Sequence, residues 1–283
     1  LASNFDDLIE YYLEPSIYSR NILNQFLETA KLTKKTAYPV HIKFNTGLNR
    51  LGFSEADIDY IAKKTKNNGS IIIVSALSHL AASEDVNERE FSLKQISSFE
   101  NLSNKLTEKL DYAPMRHMLN TSGIINYPEA QFEMVRSGIG LYGYGNQANV
   151  DAQLRPVATL KTIISQIHQI DINESVGYNR AFKSNKPLKS ATLPIGHADG
   201  IGRQYGKGKG FVTINNKKAP ILGNVCMDMI MVDVTDIDCK EGDEAIVFDL
   251  KKSAENFAAT ANTISYEILT AISQRVKREL KNN

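Results

Sequence analysis

Between His117 and Gly145 the chain reads HMLNTSGIINYPEAQFEMVRSGIGLYGYG, and its residue types suit an anionic ligand. A pair of hydroxyls stands in a glycine-flanked turn (Thr121, Ser122, Gly123). After an amphipathic connector come Arg136 and a glycine-rich turn with Gly138, Gly140 and Gly143. Backbone amides freed by glycine, together with small hydroxyls, hold a phosphate without any lysine. An arginine close by can address a second polar point on the same ligand. The stretch therefore reads as half of a cofactor cradle.

Other constellations carry less. Gly138 to Gly143 fits a G-x-G-x-x-G pattern, but GYGNQANVDAQLRP opens no helix and no acid stands about twenty residues on, so a dinucleotide fold is a poor fit. GKGKG at 206–210 lacks the full phosphate-loop pattern and reads as a solvated turn. By residue type alone His79 and His117 read as structural histidines, and Tyr178 as an ordinary aromatic. No His, Cys and acid set has metal-ligand spacing. Cys226 reads as packing, because nothing near it in sequence is an obvious base.

The elements that must position these residues fall into two styles. In the first half, strand and helix alternate. PVHIKF (39–44) is β-rich and leads into the polar loop NTGLNRLGF, and Ser54 with Asp57 reads as a capping-box variant opening a helix that ends at Asn67-Asn68-Gly69. Ile71 to Val74 is a short apolar run of the kind found in buried parallel strands. A long helix follows SHLAASED, with Ile96, Phe99, Leu102, Leu106 and Leu110 forming one stripe, and Met115 to Leu119 is the next strand. Each strand ends in a polar loop, which offers chemistry at the C-terminal strand ends. At roughly thirty residues per unit, residues 1–150 hold about five such units, against eight in a closed barrel.

Near Arg155-Pro156 the style changes. VATLKTIISQI, SATLPIG, GFVTINN, APILG, MIMVDV and EAIVF follow closely, Asn215-Asn216 suits a hairpin turn, and helices near 253–262 and 264–276 close the chain. The expected division is 1–154 for the cofactor-binding part and 155–283 for a β-rich domain. With 42% hydrophobic and 23% charged residues, the chain can build a sizeable core. A net charge of +1 without a basic block points to neither nucleic acid nor an anionic membrane. Two cysteines make no disulfide framework, and no apolar run reaches membrane-spanning length, so a cytoplasmic protein is expected.

Taken together the motifs become recognisable. HIKFNTGLNRLGF, SHLAASED, HMLNTSG, VRSGIGLYG, SVGYNRAF, LPIGHADGIGR, GNVCMDM and YEILTAISQRVKR stand in the order of one family, and the chain resembles the alanine racemases. The resemblance implies the C-terminal part of a TIM-type (β/α)8 barrel followed by a β-rich domain, an α/β plus all-β fold. It also implies L- and D-alanine interconversion through a pyridoxal-phosphate aldimine by two-base proton transfer, in the cytoplasm, for peptidoglycan precursors. SQRVKR, with SHL and GKG, brings it nearest to racemases fused behind a peptidoglycan-precursor ligase, which would add a ligase domain as partner.

Roles transfer residue by residue. Arg136 would face the pyridine nitrogen, hydrogen-bonding it without protonating it, because a guanidinium has no readily transferred proton. His79 and His117 would support Arg136, while Thr121 and the amides of Gly138 and Ile139 would hold the phosphate. Tyr178 would be the base on one face of the substrate. Arg50 would steer the substrate carboxylate, Lys43 matches a position that the family often carries carbamylated, and the Met227 amide would bind the carboxylate. In this family Tyr178 and Met227 would reach the other subunit's site, implying a head-to-tail homodimer.

Three features depart from the pattern. The Schiff-base lysine that serves as the second base has no matching motif here, which implies a truncated stretch that is inactive alone. Gln274 stands where many racemases place a phosphate-touching tyrosine, and His197 replaces a usual tyrosine. The alternatives are a broad-specificity racemase or a basic amino-acid decarboxylase on the same barrel, and a non-catalytic dimerisation module of a fused ligase. Arg136 speaks against the decarboxylase, which carries an acid opposite the pyridine nitrogen.

Overall fold

The computed structural model describes residues 2–66, 68–145, 147–251 and 253–281. The chain forms two compact units, Leu1–Leu141 and Tyr142–Asn283.

In the first unit the order is α1 (Phe5–Glu10), β1 (Ser16–Ile17), α2 (Arg20–Leu32), β2 (Tyr38–Lys43), α3 (Ile58–Lys66) and β3 (Ile71–Leu77). Then come α4 (Arg89–Leu110), β4 (Met115–His117) and α5 (Thr121–Asn126). The four strands make one parallel sheet in sequence order, β1-β2-β3-β4. Strand, helix and parallel strand in succession is the barrel grammar the sequence announces. Two-residue alternation along β2 buries Tyr38, Val40 and Ile42 and leaves Pro39, His41 and Lys43 half-buried on the other face. The buried set joins Phe26, Ile73, Phe99 and Leu106 in one core, to which the α4 stripe contributes at helical spacing.

Ser54 donates its backbone N–H (2.9 Å) and its hydroxyl (2.8 Å) to the Asp57 carboxylate, so the expected capping box forms, on a 3-10 turn that runs into α3. The end expected for that helix includes Asn67, which lies outside the described residues. One local reading changes. Thr121 and Ser122 do not sit in an isolated turn but open α5, where Asn120 caps the helix by accepting from the Gly123 N–H at 2.9 Å.

The second unit begins with a short helix, α6 (Ala148–Asp151). Strands β5 (Leu160–Ile163), β6 (Gln166–Ile170), β9 (Leu188–Leu193), β10 (Phe211–Ile214), β11 (Lys217–Leu222), β12 (Ile230–Asp233) and β13 (Glu244–Phe248) form a single antiparallel sheet. A separate two-stranded ribbon pairs β7 (Ser175–Val176) with β8 (Phe182–Lys183). The β10–β11 hairpin turns at Asn215-Asn216, as its sequence predicts, with both residues left-handed at φ 46° and 64°. Two helices follow, α7 (Ala254–Ala259) and α8 (Ser265–Ala271). The helix expected over 264–276 therefore stops early. Arg275 is drawn away to Asp199 and Asp228, and the Arg278 guanidinium takes the carbonyls of Ile272, Ser273 and Val276 that a continuing helix would use differently.

Candidate functional site

Three chemistry-bearing side chains leave the C-terminal ends of successive strands. Lys43 ends β2, His79 lies just past β3, and His117 ends β4. Arg136 joins them because residues 134–136 run beside β4, with Met134 N–H donating to Arg116 (3.3 Å) and Arg136 N–H to Leu119 (3.0 Å). Its guanidinium is held on several sides. Nη2 donates to the carbonyls of Ser78 (2.9 Å) and Met118 (3.2 Å) and meets His79 Nδ1 at 3.3 Å, while Nη1 bonds His117 Nδ1.

Both histidines are acceptors here, and their acid–base state agrees. Burial, then Arg136, pushes His117 down to about 4. Burial, then Arg136, Arg50 and Lys43, pushes His79 to about 4 as well. Each is neutral at pH 7 and offers Nδ1 a lone pair. The guanidinium thus keeps its protons and cannot swing freely.

Lys43 and Arg50 complete a cationic group. The Lys43 amine is pressed below its ordinary value by burial, then by Arg50 and Arg136. Arg50 stands on the exposed loop after β2. That loop closes on Asn45, whose Oδ1 accepts from the N–H of Gly47 (3.2 Å) and Asn49 (3.0 Å). Gly52 is required in it: at φ +142° an added Cβ would lie 2.3 Å from Asn45 N. The charges acting on Lys43 and His79 are all positive, so the cluster suits an anionic ligand.

The glycine turn approaches Thr121. Its hydroxyl oxygen accepts from the N–H of Gly138 (3.0 Å) and of Gly140 (3.1 Å), and a Cβ on Gly140 would come within 2.8 Å of Thr121 Cγ2. A Cβ on Gly138 would meet nothing within 4 Å, which leaves that side of the turn open to a ligand. The Gly138 and Gly140 amides are thus both turned to Thr121, on either side of Ile139. Residues of this kind fit a phosphorylated heteroaromatic ring: a hydroxyl and amide turn for the phosphate, and a rigid guanidinium for a ring nitrogen.

Tyr178 and Met227 lie in the second unit. They line a depression of roughly 390 Å³ with Gly177, Cys226, Asp228, Met229 and Met231. Tyr178 opens a tight turn between β7 and β8 in which Gly177, Asn179 and Arg180 all take positive φ, and the residue is 71% exposed. The Met227 loop is pinned by His197 and Ala198, whose N–H groups donate to the carbonyls of Cys226 (3.0 Å) and Met227 (2.9 Å). Sequence reasoning misses the clamp on this loop. Arg275 donates from Nε to Asp199 (2.7 Å) and from Nη2 to Asp228 (2.6 Å), a link across 76 residues that no local pattern announces. Gln274 and His197 are both exposed.

Residues 1–146 match the family described as alanine racemase, N-terminal domain, and residues 157–280 match alanine racemase, C-terminal domain. Alanine racemase 1 of Clostridium acetobutylicum is 36% identical over 96% of this chain and 72% of its own length. The alanine racemase of Halothermothrix orenii is 35% identical over 100% of this chain and 76% of its own. Among solved structures, the alanine racemase of Clostridium difficile 630 superposes with a TM-score of 0.86 at 31% identity, covering 98% of this chain and 73% of that one. The enzyme from Bartonella henselae, solved with covalently bound pyridoxal phosphate, gives 0.83 at 29% identity over 98% and 75%.

Proposed function

The chain belongs to the alanine racemase family, and from that membership we propose that its residues serve the pyridoxal-phosphate-dependent interconversion of L- and D-alanine. The observation that carries the reading is the Arg136 guanidinium, fixed between two neutral histidines and two carbonyls beside the Thr121 turn. Pyridoxal phosphate, when bound, supplies an electron sink that acidifies the α-proton of an amino acid.

Arg136 would hydrogen-bond the ring nitrogen and retain its own protons, limiting the chemistry to proton exchange at the α-carbon. Thr121, Gly138 and Ile139 would hold the phosphate, the Gly138 amide giving up its bond to the Thr121 hydroxyl while Gly140 keeps its own. Tyr178 would take or return a proton at the α-carbon on one face. Arg50 and the Met227 amide would orient the substrate carboxylate. The depressed Lys43 amine suits carbamylation: the neutral amine adds carbon dioxide and releases a proton, giving a carboxylate opposite Arg50. We read the assembly as a homodimer in which the partner subunit's Tyr178 and Met227 complete each site. On the family's pattern, the D-alanine feeds peptidoglycan precursors in the cytoplasm.

The test follows from the role assigned to Tyr178. In deuterium oxide with pyridoxal phosphate, the protein is expected to exchange the α-proton of L-alanine with solvent. Tyr178→Phe should abolish that exchange. Absence of pyridoxal phosphate binding would remove the function itself.

A further inference from the structure

Behind Arg136 a line of hydrogen bonds runs from β4 through β3 to β2 and ends on Glu14, just ahead of β1. His117 Nε2 lies 2.9 Å from Ser75 Oγ, Ser75 Oγ lies 2.6 Å from His41 Nδ1, and His41 Nε2 lies 2.9 Å from Glu14 Oε2. His117 is on β4, Ser75 on β3 and His41 on β2, while Glu14 stands just ahead of β1.

With His41 as a neutral imidazole, each bond in this line takes one direction. A guanidinium only donates, so His117 Nδ1 must accept and its proton sits on Nε2. Nε2–H then donates to Ser75, whose own hydroxyl proton is left to donate to His41 Nδ1. His41 consequently carries its proton on Nε2 and gives it to Glu14, a carboxylate that only accepts. Moving the His117 proton to Nδ1 would set two donors against each other at Arg136, in a place where His117 is 4% exposed and Ser75 1%.

The backbone is shaped to permit this. Val40 pairs with Ile73, but His41 pairs with Ser75, so a bulge at Val74 separates the two registers. Had the register continued unbroken, His41 would oppose Val74, which has no polar atom to offer. A bulge that re-aims one side chain is a recurrent device beside functional sites.

We propose that Ser75, His41 and Glu14 are positioning residues that lock His117 as its Nε2–H tautomer and thereby fix the direction in which Arg136 presents its guanidinium. The lock itself is a property of the folded chain, and its consequence for pyridoxal phosphate rests on the function proposed above. Ser75 is the indispensable link, since it alone both receives from His117 and passes a proton donor on to His41.

The experiment is done on the 283-residue protein labelled with 15N at histidine and arginine, without cofactor. Long-range proton–nitrogen spectra should show His117 and His41 each as a single Nε2–H tautomer. In Ser75→Ala, His117 should become a mixture of tautomers, and the Arg136 Nη protons should exchange with water at least tenfold faster. Ser75→Thr, which keeps the hydroxyl, should restore both signatures. A Ser75→Ala protein that folds and leaves both signals unchanged overturns the proposal. Should that variant fail to fold, Glu14→Ala at the exposed end is read instead: a mixed His41 tautomer supports the relay, and an unaltered one overturns it. Titration with pyridoxal phosphate separates the two readings. Weakening of about tenfold in Ser75→Ala is the expected result. A wild-type chain with the single tautomers but no cofactor affinity keeps the relay and rejects the function.

Discussion

At His117 burial acts before any partner does: the ring is taken out of water, and the Arg136 charge beside it then disfavours a second positive charge. The folded chain accepts a proton there only near pH 4, whereas the unfolded chain accepts one near 6.5. Unfolding therefore takes up a proton throughout that window, and the contribution is fully present above 6.5 and lost as the pH falls toward 4. At about 1.4 kcal/mol per unit, His117 alone accounts for about 3 kcal/mol by the acid end. Urea denaturation at pH 7 and pH 4.5 should show wild type losing more stability than His117→Asn, whose amide oxygen still accepts from Arg136. Equal losses would mean that His117 is not the group responsible. Arg136 makes its own prediction. Lysine preserves the charge but has a single nitrogen, which cannot reach two imidazoles and two carbonyls together. Arg136→Lys should weaken pyridoxal phosphate binding at least tenfold in a fluorescence titration, and unchanged affinity would detach Arg136 from the cofactor.

Among elements, the β10–β11 hairpin is the case where local sequence is sufficient. Both central positions of the turn need positive φ to match the strand twist, and asparagine tolerates it while β-branched residues do not. Asn216→Val should cost roughly 1–3 kcal/mol, while Asn216→Gly should stay within about 0.5 kcal/mol of wild type in thermal melts. A valine variant as stable as wild type would show that the turn is not held in this form. The α4 stripe, the Ser54–Asp57 cap and the strands of the second unit were legible for the same reason: their causes lie within a few residues of one another. The bulge at Val74 was not, because it exists only in the pairing of β2 with β3. Nor was the early end of α8, since Arg275 answers to Asp199, distant in the chain. His41 was half-legible: alternation in PVHIKF sets it on the same face as Lys43, but its partner Ser75 arrives by register alone. The residues around Arg136 came through motif order and not through any spacing rule, since His79, His117 and Arg136 are too far apart to form a pattern of their own.

For the whole molecule, the open question is what covers the depression around Tyr178. Tyr178 is 71% exposed, Met227 59% and Met229 46%, and together they rim one apolar surface of the second unit. Large apolar groups gathered at one place are costly to leave in water, at about 25 cal/mol per Å². The same residues hold a base and a carboxylate-binding amide in the function proposed above, so their cover should be another copy of this chain and not a foreign protein. A net charge of +1 opposes such self-association very little. Sedimentation equilibrium at tens of micromolar should therefore return twice the 31.5 kDa chain mass. Met229→Glu places a charge on that rim without disturbing the backbone bond from Cys226 N–H to the Met229 carbonyl (3.0 Å), so the variant should fold normally and sediment as a monomer. A monomeric wild type, or a dimer indifferent to the new charge, would mean that this surface is not where two chains meet, and the assignment of Tyr178 to a shared site would go with it.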